Sequence, residues 1–374
     1  MNVEVLFQEM EQIGINFYTG VPDSQLKAFC DTLMSRYGVG SNHVIAANEG
    51  AAAALAAGHY LATGKPAVVY MQNSGIGNAV NPICSLLNDQ VYAIPVLFVV
   101  GWRGEPGVHD EPQHVFQGEI TLELLDCLHV KNFVIDKETS TDDLKRYFAE
   151  IRNEFSLGHQ CALVIKKGGL STDIKMNYAN NNEMSREQIV NLIVEHTRPD
   201  DIFVSTTGKL SRELFEAREA REQGHKRDFL TVGSMGHASM IAMGIAREKS
   251  DRRVFCLDGD GAVLMHMGSL AVAGTDKLGN FIHLIVDNGA HETVGGLPTV
   301  GSKINYPLLA KACGYDNVFT ADSEEELLEI FRILDEIKGS IFIVVKADIS
   351  SRADLGRPTT TPVENKKAFM EFLK

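Results

Sequence analysis

The feature that most constrains this chain is a rhythm of short apolar runs separated by helix-length stretches. In the first half the runs are Asn16–Thr19, His43–Ala46, Ala67–Met71, Ile94–Val100, Asn132–Ile135 and Cys161–Lys166. In the second half they are Ile202–Ser205, Asp228–Val232, Val254–Leu257, Phe281–Asp287, Asn317–Thr320 and Ser340–Val345. Unbroken apolar strands joined by helical crossovers, such as Glu49–Ala62 and Thr141–Phe155, imply parallel sheets with helices on both faces. The joint falls near Gly168–Asn182, where a glycine pair and an asparagine-rich run precede Ser185-Arg186-Glu187-Gln188, a capping-box helix start. The expectation is α/β: two doubly wound parallel-sheet domains, over 1–170 and 185–374, with a linker over 171–184 and no middle domain.

A formal charge of -14 argues against a nucleic-acid or anionic-membrane partner, so an anionic substrate would need a local cationic pocket. The cysteines (Cys30, Cys84, Cys127, Cys161, Cys256, Cys313) show no Cys-x-x-Cys pair and no ligand spacing. They read as reduced thiols of a cytoplasmic protein. Met1–Met10 carries acidic residues and helical spacing rather than a secretory pattern, and no run approaches the length of a membrane span.

The strongest chemical signal is Val254-Phe255-Cys256-Leu257-Asp258-Gly259-Asp260-Gly261-Ala262, then a helix, then a strand ending at Asp287-Asn288-Gly289. An apolar strand runs into a glycine turn bearing carboxylates and opens a helix. Gly261 lets backbone approach a phosphate at the helix start, and Asp260 is a hard oxygen ligand suited to Mg²⁺. Asn288 lies one β–α–β unit further on, so neighbouring strand ends can present both side chains to one ion. An EF-hand fails here, because Ala262, Val263 and Ser269 occupy its ligand and glycine positions. A plain strand–turn–helix junction is the bland alternative for this segment alone.

Gly259-Asp260-Gly261, the helix and Asp287-Asn288 together resemble the thiamine-diphosphate signature of the thiamine-diphosphate-dependent decarboxylases. The resemblance implies Asp260, Asn288 and the backbone carbonyl of Ala290 as metal ligands, with Asp287 standing where an asparagine is usual. It makes Glu49, in Ala46-Ala47-Asn48-Glu49-Gly50, the acid that hydrogen-bonds the cofactor's pyrimidine nitrogen. A carboxyl in an alanine-lined niche has the raised proton affinity that role requires. The bland reading of Glu49 is a first-turn helix acid.

Ser234 and Met235, in Gly233-Ser234-Met235-Gly236, match the loop whose bulky apolar residue props the cofactor rings. Thr207 and Gly208, in Ser205-Thr206-Thr207-Gly208, resemble a diphosphate-contacting loop, beside Gly261 and Ala262. Gly75, in Gln72-Asn73-Ser74-Gly75-Ile76-Gly77-Asn78, fits a tight turn near the pyrimidine. That segment makes a weak dinucleotide fingerprint, since Val80 fills the third glycine position. With Glu49 and Asp260 in different domains, the resemblance implies a homo-oligomer with active sites between subunits.

Further matches are Gly20-Val21-Pro22-Asp23-Ser24, Trp102-Arg103-Gly104-Glu105, Asp110-Glu111-Pro112-Gln113-His114, and Ala290-His291-Glu292-Thr293-Val294-Gly295-Gly296. With these matches and no room for a middle domain, the chain resembles the phosphonopyruvate and sulfopyruvate decarboxylases. The expected reaction is decarboxylation of a small anionic 2-keto acid, 3-phosphonopyruvate going to phosphonoacetaldehyde and CO₂ in phosphonate biosynthesis. The single-chain form favours the phosphono substrate over the sulfo one. Asp23, His109, His114 and Glu292 are candidates for proton handling. Arg103 is the expected phosphonate clamp, since its fork matches such oxygens, with Ser24 beside it and Lys209 as a substitute. Other readings are a thiamine-diphosphate component of a 2-oxoacid oxidoreductase and a non-catalytic subunit.

Overall fold

The computed structural model describes residues 1–374. Its contacts divide the chain into two units, Met1–Asn177 and Tyr178–Lys374, each carrying one six-stranded sheet. The first sheet is built from β1 (Tyr18–Gly20), β2 (His43–Ile45), β3 (Ala67–Gln72), β4 (Val96–Gly101), β5 (Lys131–Ile135) and β6 (Cys161–Ile165). The second unit contributes β7 (Ile202–Ser205), β8 (Asp228–Leu230), β9 (Val254–Gly259), β10 (Phe281–Asp287), a small hairpin of β11 (Ala290–His291) and β12 (Leu297–Pro298), then β13 (Asn317–Ala321) and β14 (Ile341–Lys346).

Every pairing within the two large sheets is parallel. The first runs β2-β1-β3-β4-β6-β5, and the second, read from its far edge, β8-β7-β9-β10-β14-β13. The two orders are the same once each unit's large-sheet strands are counted in sequence. In both, the chain leaves the first strand toward one side and then crosses to the other. A crevice therefore opens at the carboxyl ends flanking that reversal, which is where open α/β sheets bind ligands.

The apolar runs became strands because both faces are covered. Val68 to Met71 and Leu97 to Val100 are almost fully buried in the first sheet, as are Phe255, Leu257, Leu284 and Ile285 in the second. The alanine-rich helix Glu49–Thr63 lays Ala52, Ala53, Ala56 and Ala57 against the first sheet. Small side chains let the helix approach closely.

The asparagine run beyond the unit boundary has a structural task. Asn180 Nδ2 donates to the carbonyls of Asn288 and Ala347, both at 3.0 Å, and Asn182 Nδ2 to Ala347 at 2.6 Å. These residues strap the carboxyl ends of β10 and β14. At the opposite edge, Asn365 of the terminal helix Pro362–Phe372 pairs with β8: its Nδ2 donates to the Asp228 carbonyl at 2.8 Å and its Oδ1 accepts from Leu230 N at 3.2 Å. One amide thus satisfies an edge strand that would otherwise present open backbone groups.

Candidate active site

In the first unit, the predicted residues gather at the carboxyl ends of successive strands. Asp23 and Ser24 follow β1, Glu49 follows β2, Gly75 follows β3 and Arg103 follows β4. Glu49 opens its helix, with Asn48 as the cap accepting from Ala51 N. The Glu49 side chain is buried, and burial raises its pKa above the ordinary carboxyl range although Asn78 Nδ2 donates to Oε2 at 2.7 Å. Gly75 lies flush against it: a Cβ there would stand 2.4 Å from Oε1 of Glu49. Asn78 belongs to the Gln72–Asn78 turn noted in the sequence, but nothing local singles it out as the partner of Glu49.

Asp23 is fully buried and its pKa is also raised by desolvation, against hydrogen bonds from Gln72 Nε2 (2.6 Å) and Gln25 N (2.8 Å). Arg103 Nε and Nη2 make a paired contact with Asp110 at 2.8 and 2.5 Å, and Nη1 donates to Ser24 Oγ at 3.1 Å. One edge of the predicted clamp is therefore held by Asp110, and the other meets the Ser24 hydroxyl. Asn73 fixes the Arg103 backbone by donating to its carbonyl at 2.8 Å and accepting from its N at 3.2 Å. His114 sits half-buried near this pair, and desolvation, with Arg103 beside it, depresses its pKa to about 4. His109 is exposed on the preceding loop.

In the second unit, the same strand positions carry the other set. Thr207 and Gly208 follow β7, Ser234 and Met235 follow β8, Asp260, Gly261 and Ala262 follow β9, and Asn288, Ala290 and Glu292 follow β10. Asp260 is 2% exposed, and its pKa is raised to about 7 by burial and by the nearby Asp287, against a hydrogen bond from the Thr299 hydroxyl. A Cβ on Gly301 would lie 2.8 Å from Asp260 Oδ2 and 3.1 Å from Asp287 Oδ1, so both carboxylates converge on that glycine. Asp287 is neutralised by Lys346 Nζ at 2.5 Å and accepts from Gly289 N at 3.1 Å. This explains how an aspartate is accommodated where the signature has asparagine. Its charge is matched by a lysine on the adjacent strand.

Asn288 Oδ1 accepts from Ala290 N at 3.1 Å, and its Nδ2 donates to Glu292 Oε2 at 2.9 Å. Ser234 holds a left-handed backbone, φ 53°, in the turn before Met235. A Cβ on Gly261 would touch Met235 Cε at 3.5 Å and the His291 ring at 3.3 Å. His291, absent from the sequence-based candidates, is buried, which depresses its pKa to about 4 and leaves it neutral. Glu292 is enclosed by Arg186 Nη1 at 2.5 Å and Lys209 Nζ at 3.0 Å, and Arg186 also grips Glu213 with bonds of 2.6 and 2.7 Å. Both Glu292 and Lys209 are thus drawn into an ion-pair cluster.

The residues present fit the group that the sequence motifs imply. A glycine is required against a buried acid in one unit; in the other, a buried carboxylate and an amide oxygen stand at neighbouring strand ends. The loop after β7 adds a buried hydroxyl, Thr206 Oγ1, with no partner. Residues 2–125 match the N-terminal TPP binding domain of thiamine pyrophosphate enzymes, and residues 206–345 match the C-terminal one.

The chain belongs to the thiamine pyrophosphate enzymes.

Its branch is that of the 2-keto acid decarboxylases. A phosphonopyruvate decarboxylase of Streptomyces viridochromogenes is 33% identical, over 96% of this chain and 92% of its own. A single-chain sulfopyruvate decarboxylase of Methanosarcina acetivorans is 24% identical over 99% and 97%. The sulfopyruvate decarboxylase β subunit of Methanocaldococcus jannaschii is 34% identical over 50% of this chain and 97% of its own. No helix is long and apolar enough to cross a membrane.

Proposed function

We propose that this enzyme decarboxylates 3-phosphonopyruvate to phosphonoacetaldehyde and CO₂, with thiamine diphosphate held through Mg²⁺. Full-length likeness to the phosphonopyruvate decarboxylase carries the choice of substrate. The single-chain sulfopyruvate decarboxylase weakens chain fusion as a criterion, so the discriminating residues must be sought in the site.

When bound, thiamine diphosphate supplies a nucleophilic carbon and an electron sink for the departing carboxylate. Asp260, the Asn288 side chain and the Ala290 carbonyl would hold the ion, and Thr207, Gly208, Ser234, Gly261 and Ala262 the cofactor's charged end. Oxygen ligands in small number suit Mg²⁺, which keeps waters and shares phosphate oxygens. Met235 and Gly75 would bound the ring system. Glu49, its pKa raised by burial, holds a proton more readily than an exposed carboxyl and can share it with a ring nitrogen.

The Arg103 edge beside Ser24 offers a cationic, directional contact for a phosphonate. Asp23 and His114, flanking that edge, are placed to hold or relay a proton. Lys209 and Glu292 act together, the cation tempered by its partner. Self-association with active sites shared between copies, and a cytoplasmic location consistent with six free cysteines, belong to the same reading.

The test is to supply the purified chain with Mg²⁺, thiamine diphosphate and, in parallel, phosphonopyruvate, sulfopyruvate and pyruvate. Equimolar CO₂ and phosphonoacetaldehyde without an electron acceptor, and the highest kcat/KM on the phosphono acid, are expected. Turnover that requires an electron acceptor would move the chain to the oxidoreductases, and preference for sulfopyruvate would reassign the substrate.

A further inference from the structure

A second cluster of ligand-type side chains lies inside the β9–β10 pair, apart from the loop that carries Asp260. Strand alternation sends Phe255 and Leu257 to one face of the sheet and Cys256 and Asp258 to the other. Strand pairing sets His283 directly opposite Cys256, on that same face. All three residues are 0% exposed. One ligand atom from each (the thiol sulfur, a carboxylate oxygen and an imidazole nitrogen) lies within 4.8 Å of the others.

Asp258 Oδ2 and His283 Nε2 both lack a hydrogen-bond partner, and both point into the cluster. Buried polar atoms are almost always paired, so two orphans facing each other call for a third body. Their far atoms, by contrast, are anchored. Asp258 Oδ1 accepts from Gly259 N at 3.0 Å, and His283 Nδ1 lies 3.1 Å from the Tyr315 hydroxyl. A second-atom anchor of this kind fixes the orientation of metal-binding imidazoles and carboxylates.

The separation decides between a direct bond and a shared ion. His283 Nε2 and Asp258 Oδ2 stand 3.5 Å apart. Good N–H···O bonds span roughly 2.7–3.2 Å, so this gap is too long. Two ligands at about 2.0–2.2 Å from a tetrahedral zinc ion sit about 3.3–3.6 Å from each other. A mixed sulfur, nitrogen and oxygen set favours zinc-type ions over magnesium.

We propose that Cys256, Asp258 and His283 form a buried site for a zinc-class divalent ion, separate from the Asp260–Asn288 site. The ion would clamp β9 to β10, the two strands whose ends present Asp260 and Asn288. Since the three side chains have no solvent access, the ion is acquired as the chain folds, with an enclosed water as its fourth ligand.

The experiment uses the full chain produced in medium with cobalt replacing zinc, then freed of Mg²⁺ and cofactor by dilute chelator and desalting. One tightly held cobalt per chain is expected, with the intense visible bands of a tetrahedral ion and a thiolate-to-cobalt charge-transfer band. Cys256→Ser should lose the charge-transfer band, whereas Asp260→Ala should keep it. Absence of retained cobalt in the wild-type chain, or a charge-transfer band that survives Cys256→Ser, overturns the proposal. If Cys256→Ser does not fold, the wild-type stoichiometry and spectrum still decide: no thiolate band means no such site.

Discussion

Gly75 and Glu49 are matched so closely that a methyl group on the glycine would stand 2.4 Å from the acid's Oε1. The acid cannot retreat easily, because its other oxygen accepts from Asn78 and its helix start is capped by Asn48. Gly75→Ala is therefore expected to push the carboxyl out of position while leaving the fold intact. A loss of roughly a hundredfold or more in kcat/KM is expected, in line with removal of a positioned proton-handling group. Glu49→Gln should lose at least as much. Circular dichroism and steady-state kinetics on both variants check this; full activity in Glu49→Gln would remove the acid from the mechanism.

Thr299 offers a second lever, at the carboxylate proposed to hold the metal. Its hydroxyl donates to Asp260 Oδ2, and the following turn brings Gly301 against both Asp260 and Asp287. Thr299→Val keeps the shape and deletes the donor. A hydrogen bond to a charged group contributes about 1.5–3 kcal/mol, so Mg²⁺ half-saturation should rise roughly tenfold or more, with kcat at saturating metal largely retained. Asp260→Ala should abolish cofactor retention outright. Titrating Mg²⁺ against activity and measuring bound thiamine diphosphate after desalting separate the two effects.

The strands, and the positions at their ends, were readable because both sheets are covered on both faces, which turns parallel strands into apolar runs. Asp260, Glu49 and Arg103 were readable for a related reason, since each follows such a run in a turn. Their partners were not. Asn78, Thr299, Lys346 and Arg186 carry no local mark, and each becomes significant only when a distant segment folds against it. The hairpin around His291 is two residues per strand, too short for any periodicity to register. The asparagine run looked like spacer because strapping side chains and linker side chains have the same composition. Cys256, Asp258 and His283 share a face through strand register, which spacing within one segment does not reveal.

Arg103 tests substrate choice. Its fork is half engaged by Asp110, while Nη1 reaches Ser24 Oγ. Arg103→Ala should raise KM for phosphonopyruvate by roughly ten- to a hundredfold, the range for a lost charged hydrogen bond, and affect pyruvate less. Asp110→Asn keeps the cation but loosens its orientation, so a smaller rise is expected. Parallel kinetics on the two substrates give the answer. Equal losses on both would strip Arg103 of the selector role.

His114 carries the pH prediction. Burial, with Arg103 nearby, lowers its pKa to about 4 from the ordinary 6.5. Between those values an unfolded chain binds the proton and the native one does not, so stability must fall as pH drops through that window. Above 6.5 the contribution is constant. His114→Gln should flatten this part of the curve, giving a smaller difference in urea midpoint between pH 7 and pH 5 than the parent shows. An unchanged difference would mean that His114 contributes nothing to acid sensitivity.

Glu292 decides between chemistry and architecture. Its carboxylate, 8% exposed, meets Arg186 at 2.5 Å, Lys209 at 3.0 Å and the Asn288 amide at 2.9 Å. Removing one partner from a buried ion pair typically costs about 3–5 kcal/mol, because the remaining charge is left without compensation. Here Glu213 still holds Arg186, so Glu292→Gln should fall at or below the lower end, about 3 kcal/mol. The expected result is a clear drop in urea midpoint together with a weakened hold on Mg²⁺, since Asn288 Nδ2 then meets a neutral amide oxygen in place of a carboxylate. In that case kcat at saturating Mg²⁺ and cofactor should change little. A kcat lower by orders of magnitude with an unchanged midpoint would instead give Glu292 the proton-handling role, and Arg186 and Lys209 would then be read as groups that tune it.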